Sequence, residues 1–389
     1  MEYSGLTYLD NAATSFPKPP EVYGEVMRSL MLYGGNAGRG AHRLSLAAAD
    51  KIYECRALAA EMLGVADVER IFFTLNATYG LNTVIKGLLK KGDHVLISDM
   101  EHNAVYRPVY RLAKEGRVAY STYKSYAADK DRTDEKICGG ILGGLRRNTK
   151  MVICNHHSNI CSAKMPIKKI GELCKRAGVL FTVDGSQSAG HEKIAVDEMG
   201  IDALCVPSHK GFYGPQGCGI VALGKGVLPL SLAEGGNGVN SLEGEMPQFS
   251  PERYEAGTLP TPAIAGLYQG MKFVKDVGIE EISDLENKLF LQARERLSEI
   301  KGVEIYLPEM TGAILSFNIE GISADKVGAL LDKRGVCVRS GYHCSALGHK
   351  TLKTYDRGTV RVSFGAFNDE TDVDELWRGV KAIASKSEY

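Results

Sequence analysis

Short apolar runs alternating with amphipathic stretches set the rhythm of the first half of this chain. Residues 70–74, 94–98, 150–155, 179–183 and 203–206 are brief and apolar, the pattern of strands buried on both faces. Between them, 77–89, 104–114 and 167–176 repeat apolar positions at helical spacing. This predicts strand–helix alternation and a mostly parallel, doubly wound α/β sheet, with ligand groups on loops at the C-terminal ends of the strands. Two helices precede that unit. One starts at Pro20, a residue suited to a first helical turn, with Val22, Val26, Met27 and Leu30 at its apolar positions; the other is Ala-rich, covers 44–63 and closes at Gly64. The loop 34–40 between them carries Asn36 and Arg39, and 123–132 reads as a polar excursion.

Beyond Gly219 the rhythm changes. Residues 235–251 are glycine-rich and polar, a loop pattern, and long helices follow at 263–277 and 282–300. Strands at 303–306, 313–319, 336–339 and 359–363, with helices at 323–331 and 370–384, predict a smaller α+β unit. The 389 residues are too many for one ordinary core. The expected division is a segment 1–20 completing the smaller unit, a large α/β domain 21–264, and the smaller C-terminal domain 265–389.

Composition narrows the function classes. Lys plus Arg equals Asp plus Glu at 47 each, so bulk charge gives no argument for nucleic acid or a membrane as partner. No apolar run reaches the ~20 residues that span a bilayer. Residues 1–10 lack a basic and apolar leader pattern, so a reducing cytoplasm is the expected location. The nine cysteines are scattered and none forms a Cys-x-x-Cys pair, so no metal cage is expected. The 44 glycines suggest many tight strand-to-helix turns.

The candidate chemistry lies at strand ends. Asp184 ends the run 179–183, and Lys210, in Ser208-His209-Lys210, follows 203–206. A lysine able to form a Schiff base and a carboxylate able to keep a pyridine nitrogen protonated are what pyridoxal phosphate needs. Ala77 and Thr78 open a helix after a strand, either as a phosphate seat or with Thr78 merely as N-cap; Ser208 and His209 could add donors. His102 could stack on an aromatic cofactor, while Asn159 and Gln187 could bond a phenolic oxygen. Cys344 follows a short strand in Arg339-Ser340-Gly341-Tyr342-His343-Cys344, where Arg339 and His343 are two possible cations to favour a thiolate. Arg361 sits inside an apolar run and needs an anion, either a substrate carboxylate or a structural acid.

Taken together these residues resemble the cysteine desulfurases of the class V aminotransferase group, fold-type I pyridoxal-phosphate enzymes. The resemblance runs from Tyr8-Leu9-Asp10-Asn11-Ala12-Ala13 to Arg361 and rests on Met100-Glu101-His102-Asn103-Ala104, Val183-Asp184-Gly185-Ser186-Gln187, Ser208-His209-Lys210 with Tyr213-Gly214-Pro215, Arg253-Tyr254-Glu255-Ala256-Gly257-Thr258, and the compact Arg339-x-Gly-x-x-Cys344 loop, which is similar to the group II (Suf-type) branch. It implies a seven-stranded sheet in the large domain and a homodimer in which Thr258 reaches the partner's cofactor phosphate. Lys210 would be the Schiff-base lysine, Asp184 the pyridine partner, His102 the stacking ring, and Asn159 and Gln187 the flanks of the phenolic oxygen. Ala77, Thr78, Ser208 and His209 would bind phosphate. Arg361 would clamp the substrate carboxylate, and Cys344 would take sulfur from L-cysteine as a persulfide, releasing alanine and passing sulfur to an acceptor protein or thiol for iron–sulfur or thio-cofactor assembly. L-selenocysteine is the rival substrate; a class V aminotransferase and a silent sulfur-relay scaffold are the remaining readings. Asn76-Ala77-Thr78, Ser162-Ala163 and the stretch after Cys344, Ser345-Ala346 with Gly348-His349-Lys350, depart from the usual pattern.

Overall fold

The structure, a computed structural model, describes residues 5–38, 40–307 and 309–385; Arg39 lies outside them. Its larger sheet has seven strands in the order Ile71–Thr74, Gly219–Leu223, Ala203–Pro207, Leu180–Asp184, Thr149–Asn155, His94–Ser98, Ala119–Tyr123. Gly219–Leu223 is antiparallel to both neighbours, and the other pairings are parallel. Successive side chains on a strand point to opposite faces, and both faces are packed here. Phe73, Leu96, Val152, Phe181 and Leu204 meet Ile52, Ile170 and Ile264 on one side. Phe72, Ile97, Ile153, Cys205 and Val221 meet Leu81, Val84, Val105 and Val109 on the other. Two-sided burial explains why these strands read as continuous apolar runs.

Three elements of this unit lie outside that pattern: strands Ala119–Tyr123 and Gly219–Leu223 and helix Asp134–Gly144. Ala119–Tyr123 is an edge strand, mostly unburied, and its polar Ser121 and Thr122 hide it among loop residues. The helix Asp134–Gly144 carries four glycines, has Thr133 as its N-cap, and buries only Ile137 and Ile141.

A second sheet is antiparallel, in the order Arg339–Gly341, Thr359–Ser363, Ile314–Ile319, Val303–Tyr306. Helices Ile279–Ser298, Ala324–Asp332 and Glu370–Ala384 pack around it through Leu289, Val327 and Leu376, and Leu9 joins the same core. Thr7–Tyr8 pairs with Val336–Cys337 beside it. The division expected at 264/265 falls inside helix Thr261–Val277, whose Ile264, Leu267 and Met271 bury in the first core. Among the described residues no helix is long and apolar enough to cross a membrane.

Candidate active site

The C-terminal ends of the parallel strands and the edge of the second sheet enclose a cavity of about 230 Å³. Lys210, Asp184, His102, Ala77, Thr78, Asn159, Gln187, His209, Arg339, Arg361 and Cys344 all line it. Ser208 and Thr258 do not.

Asp184 ends its strand with only 4 % of its surface exposed, and its Oδ1 accepts the N–H and hydroxyl of Ser186. Lys210 follows strand Ala203–Pro207, and burial pulls its ammonium down to about 8, against the opposing pull of Asp184 and with help from Arg361 and Arg339. A lysine in that range keeps a usable share of neutral amine near neutral pH, which a lysine in water does not.

Helix Ala77–Leu88 begins at the cavity wall. Asn76, not Thr78, is its N-cap, accepting the Tyr79 N–H at 2.9 Å. The N–H groups of Ala77 and Thr78 therefore have no intrahelical acceptor, an arrangement that favours an anion. Gly219 lies beneath this turn: a Cβ there would meet the Asn76 carbonyl carbon at 2.6 Å. His102 caps the next helix, Asn103–Lys114, with Nδ1 accepting the Ala104 N–H at 3.0 Å, so its proton sits on Nε2. Burial pushes this ring down to about 4, and His209 likewise to about 4 with Lys210 and Lys18 adding to the effect, so both are neutral.

Five buried polar atoms of cavity-lining residues lack hydrogen-bond partners: His157 Nε2, Asn159 Oδ1, His209 Nδ1, His343 Nδ1 and Arg361 Nε. Orphaned polar atoms are costly unless something binds them.

The cysteine loop is held by its backbone. Cys344 O accepts the Asn103 N–H at 2.7 Å, His343 O accepts from Asn159 Nδ2 at 2.6 Å, and Ser345 Oγ donates to Glu101 O at 3.3 Å. His343 and Cys344 both adopt left-handed φ, 47° and 56°, conformations that non-glycine residues rarely take. Cys344 is the exposed one among the nine free thiols.

Several expectations change. The Ser208 hydroxyl bonds Pro215 O, so the side chain is committed to its own turn rather than to a phosphate. His343 is not a cation beside the thiol: burial, then Arg361, push it down to about 2, and Nε2 bonds Thr359. Arg361 has the structural acid weighed as its alternative, Asp10 at 2.7 Å, while also lining the cavity. Thr258 is exposed, outside this chain's cavity, and accepts from Asn36 at 3.3 Å.

Asn155, Ala12, Ala13 and His157 line the cavity and Glu101 supports it, though sequence patterning marks out none of them. Glu101 is fully buried; Oε1 accepts from Ser98 Oγ at 2.5 Å and from Asn155 N–H at 3.0 Å, and burial raises its carboxyl to about 8. Its position between Met100 and His102, inside a motif already singled out, was the available signal. The segment 10–18 wraps the lysine turn: Gln187 Nε2 donates to Ala12 O at 2.9 Å, Ser15 Oγ to Lys210 O at 3.0 Å, and Lys18 Nζ to His209 O at 2.9 Å.

Comparisons with known proteins place this chain among relatives that share its family and fold. The profile of the family described as Aminotransferase class-V matches residues 7–376. A probable cysteine desulfurase of Halalkalibacterium halodurans is 32% identical over 97% of this chain and 93% of its own length. One from Methanothermobacter thermautotrophicus is 32% identical over 97% of this chain and 94% of its own. The apo structure of a cysteine desulfurase from Thermococcus onnurineus superposes with a TM-score of 0.87 at 29% identity, covering 98% of this chain and 95% of that one. The cysteine desulfurase CsdA from Escherichia coli, at 23% identity, shares the fold with a TM-score of 0.86 over 98% of this chain and 95% of its own. The chain therefore belongs to the class-V aminotransferase family, whose members in general depend on pyridoxal phosphate.

Proposed function

We propose that this protein is a pyridoxal-phosphate-dependent cysteine desulfurase that converts L-cysteine to L-alanine and carries the sulfur on Cys344. The observation that carries the reading is one cavity walled by a lysine pulled down to about 8, a buried carboxylate, a helix start with free N–H groups and an exposed cysteine. The orphaned His209 Nδ1, able to donate as N–H, and the free Ala77 and Thr78 N–H groups suit a cofactor with anionic oxygen atoms, so the donor set fits pyridoxal phosphate. Lys210, Asp184, His102, Asn159, Gln187, His209, Ala77 and Thr78 are the residues that would hold it. What the cofactor supplies when bound is an electron sink next to the substrate's α-carbon.

The chain's own residues do the rest. Arg361, with Arg339 beside it, binds the substrate carboxylate, for which its unpartnered Nε is available. Lys210, neutral, accepts the α-proton and later returns it. The Cys344 thiolate attacks the substrate sulfur; an S–S bond forms as the carbon–sulfur bond breaks, leaving a persulfide for an acceptor thiol or protein. The left-handed backbone at His343 and Cys344, held by Asn103 and Asn159, keeps Sγ at the cavity.

The proposal extends to a homodimer in which Thr258 serves the neighbouring site. Supporting it, helix Pro20–Leu32 exposes Tyr23, Met27, Leu30 and Met31 along one face, and Thr258 is exposed.

The test is alanine and sulfide formed from L-cysteine in the presence of a reductant that clears the persulfide. Cys344→Ala should keep the visible absorbance of the lysine-bound cofactor and lose sulfide release, while Lys210→Ala should lose the absorbance. Turnover that survives Cys344→Ala would sink the desulfurase reading. A large preference for L-selenocysteine over L-cysteine would reassign the substrate.

A further inference from the structure

A second, separate cavity of about 20 Å³ shares Lys210 with the site cavity and does not include Cys344. Lys210, Gln187, His191, Ser15, Asn11 and Tyr213 contribute to its wall. A buried water needs roughly 10–15 Å³ and two or more polar partners, so this space takes about one. His191 stands between it and a larger polar cavity of about 330 Å³, which also reaches Gln187. Nδ1 of His191 meets Glu286 Oε2 at 2.7 Å, and Glu286, on helix Ile279–Ser298, is 2 % exposed with its other oxygen unpartnered. Gly211 closes the gap: a Cβ there would come within 2.6 Å of His191 Nε2, so the imidazole edge lies against the backbone next to Lys210.

The order outward from the lysine is thus a one-water cavity, an imidazole, a carboxylate. Burial opposes a charge on His191, but Glu286 outweighs it and the imidazole sits above its ordinary value. The pair presents its positive end to Lys210 and its negative end away from it. An imidazolium N–H donating to a water, which in turn donates to an amine lone pair, favours the neutral amine. The other charged groups about Lys210 are Asp184 and Asp10, which favour the ammonium, and Arg339 and Arg361, which oppose it. Around His191 they are Glu192 and Lys210, with His157 and Lys164 across the larger cavity.

We propose that His191, backed by Glu286, is a positioning residue that biases Lys210 toward its unprotonated, reactive form through a single water in the small cavity that both residues line. The inference rests on Lys210 being the cofactor-binding lysine. Removing His191 takes away the nearer positive charge and leaves Glu286 facing the lysine, so the ammonium becomes easier to form. Removing the Glu286 charge lets His191 become neutral and acts in the same direction, more weakly.

The experiment mixes cofactor-free protein with pyridoxal phosphate across pH and follows the visible absorbance of the lysine-bound form, which needs the neutral amine. The wild-type midpoint is expected near 8. His191→Gln should move it upward by about one pH unit, a tenfold tighter hold on the proton, and Glu286→Gln upward by less. A role in packing alone would change thermal stability and leave the midpoint where it is, and a His191→Gln midpoint equal to wild type overturns the proposal. If His191→Gln does not fold, an unmoved midpoint in Glu286→Gln has the same force. Alanine formation from L-cysteine is measured separately. A wild type that captures the cofactor and makes no alanine sinks the desulfurase reading, whereas the midpoint shift tests His191 on its own.

Discussion

Glu101 shows how much a single buried side chain can govern around this cavity. Its carboxyl is raised to about 8 by burial, with Asp184 adding to the rise and the Ser98 hydroxyl and Asn155 N–H opposing it. A carboxyl raised from about 4.5 to about 8 supports the fold fully below pH 4.5 and loses that support as pH climbs through 8. Glu101→Gln keeps an oxygen for the Ser98 hydroxyl and the Asn155 N–H but cannot ionise. Its thermal midpoint should therefore fall less than that of wild type between pH 6 and 9, as calorimetry at several pH values would show. Glu101→Leu strands the buried Asn155 N–H, at a cost of about 1–3 kcal/mol, while the Ser98 hydroxyl keeps Asn155 Oδ1 at 3.1 Å. Legibility at this scale was uneven. Lys210, Asp184 and Cys344 stood out because their chemistry is unusual at strand ends. Glu101 did not, because a glutamate in a loop normally faces water, and only the packing of Ser98, Asn155 and Ser345 around it makes it a buried acid.

At the scale of elements, the parallel strands announced themselves through apolar runs buried on both faces, whereas Ala119–Tyr123 lay at an edge and looked polar. Gly219–Leu223 is as buried as its neighbours, but it follows the lysine turn where helix–strand alternation stops, so periodicity had no frame for it. Its consequence for the site is direct. Gly219→Ala would press a methyl group onto the Asn76 backbone, 2.6 Å away at its nearest atom, at the start of helix Ala77–Leu88. Because that helix start is the proposed phosphate seat, the substitution should weaken cofactor retention about tenfold or more, with a smaller change in thermal stability. Equilibrium titration of the cofactor-free protein measures it. Retention equal to wild type would place the phosphate elsewhere.

For the whole molecule, the segment 10–18 fastens the lysine turn to the second sheet. Asp10 reaches Arg361 on strand Thr359–Ser363, and Ser15 and Lys18 hold the backbone of Lys210 and His209. Arg361 has 2 % of its side chain exposed, so Asp10→Ala leaves a buried cation short of its partner. A loss of about 3–5 kcal/mol is expected in denaturant unfolding, with weaker cysteine binding in steady-state kinetics. Asp10→Asn, which keeps an oxygen for the guanidinium, should lose less. Assembly is testable at the same scale: Leu30→Glu with Met31→Glu on the exposed face of helix Pro20–Leu32 should shift a dimer toward monomer in light scattering. The clasp could not be read from the chain, since it joins residues hundreds of positions apart, and the exposed face could not because periodicity puts Met27 and Leu30 on an apolar stripe without telling whether the chain covers it.

Strands Ala203–Pro207 and Gly219–Leu223 pair with Pro207 opposite Gly219, and the lysine turn closes the end of that hairpin. One loop thus works as a pair of callipers: one jaw carries Lys210, and the other rests under Asn76 and Ala77. The span between amine and anion seat is set by the hydrogen-bonded register of the hairpin together with the close seating of the start of helix Ala77–Leu88 on Gly219. A relative that lengthens or shortens this loop would have to reset both jaws at once. Drift in helices other than Ala77–Leu88, by contrast, leaves the gauge unchanged.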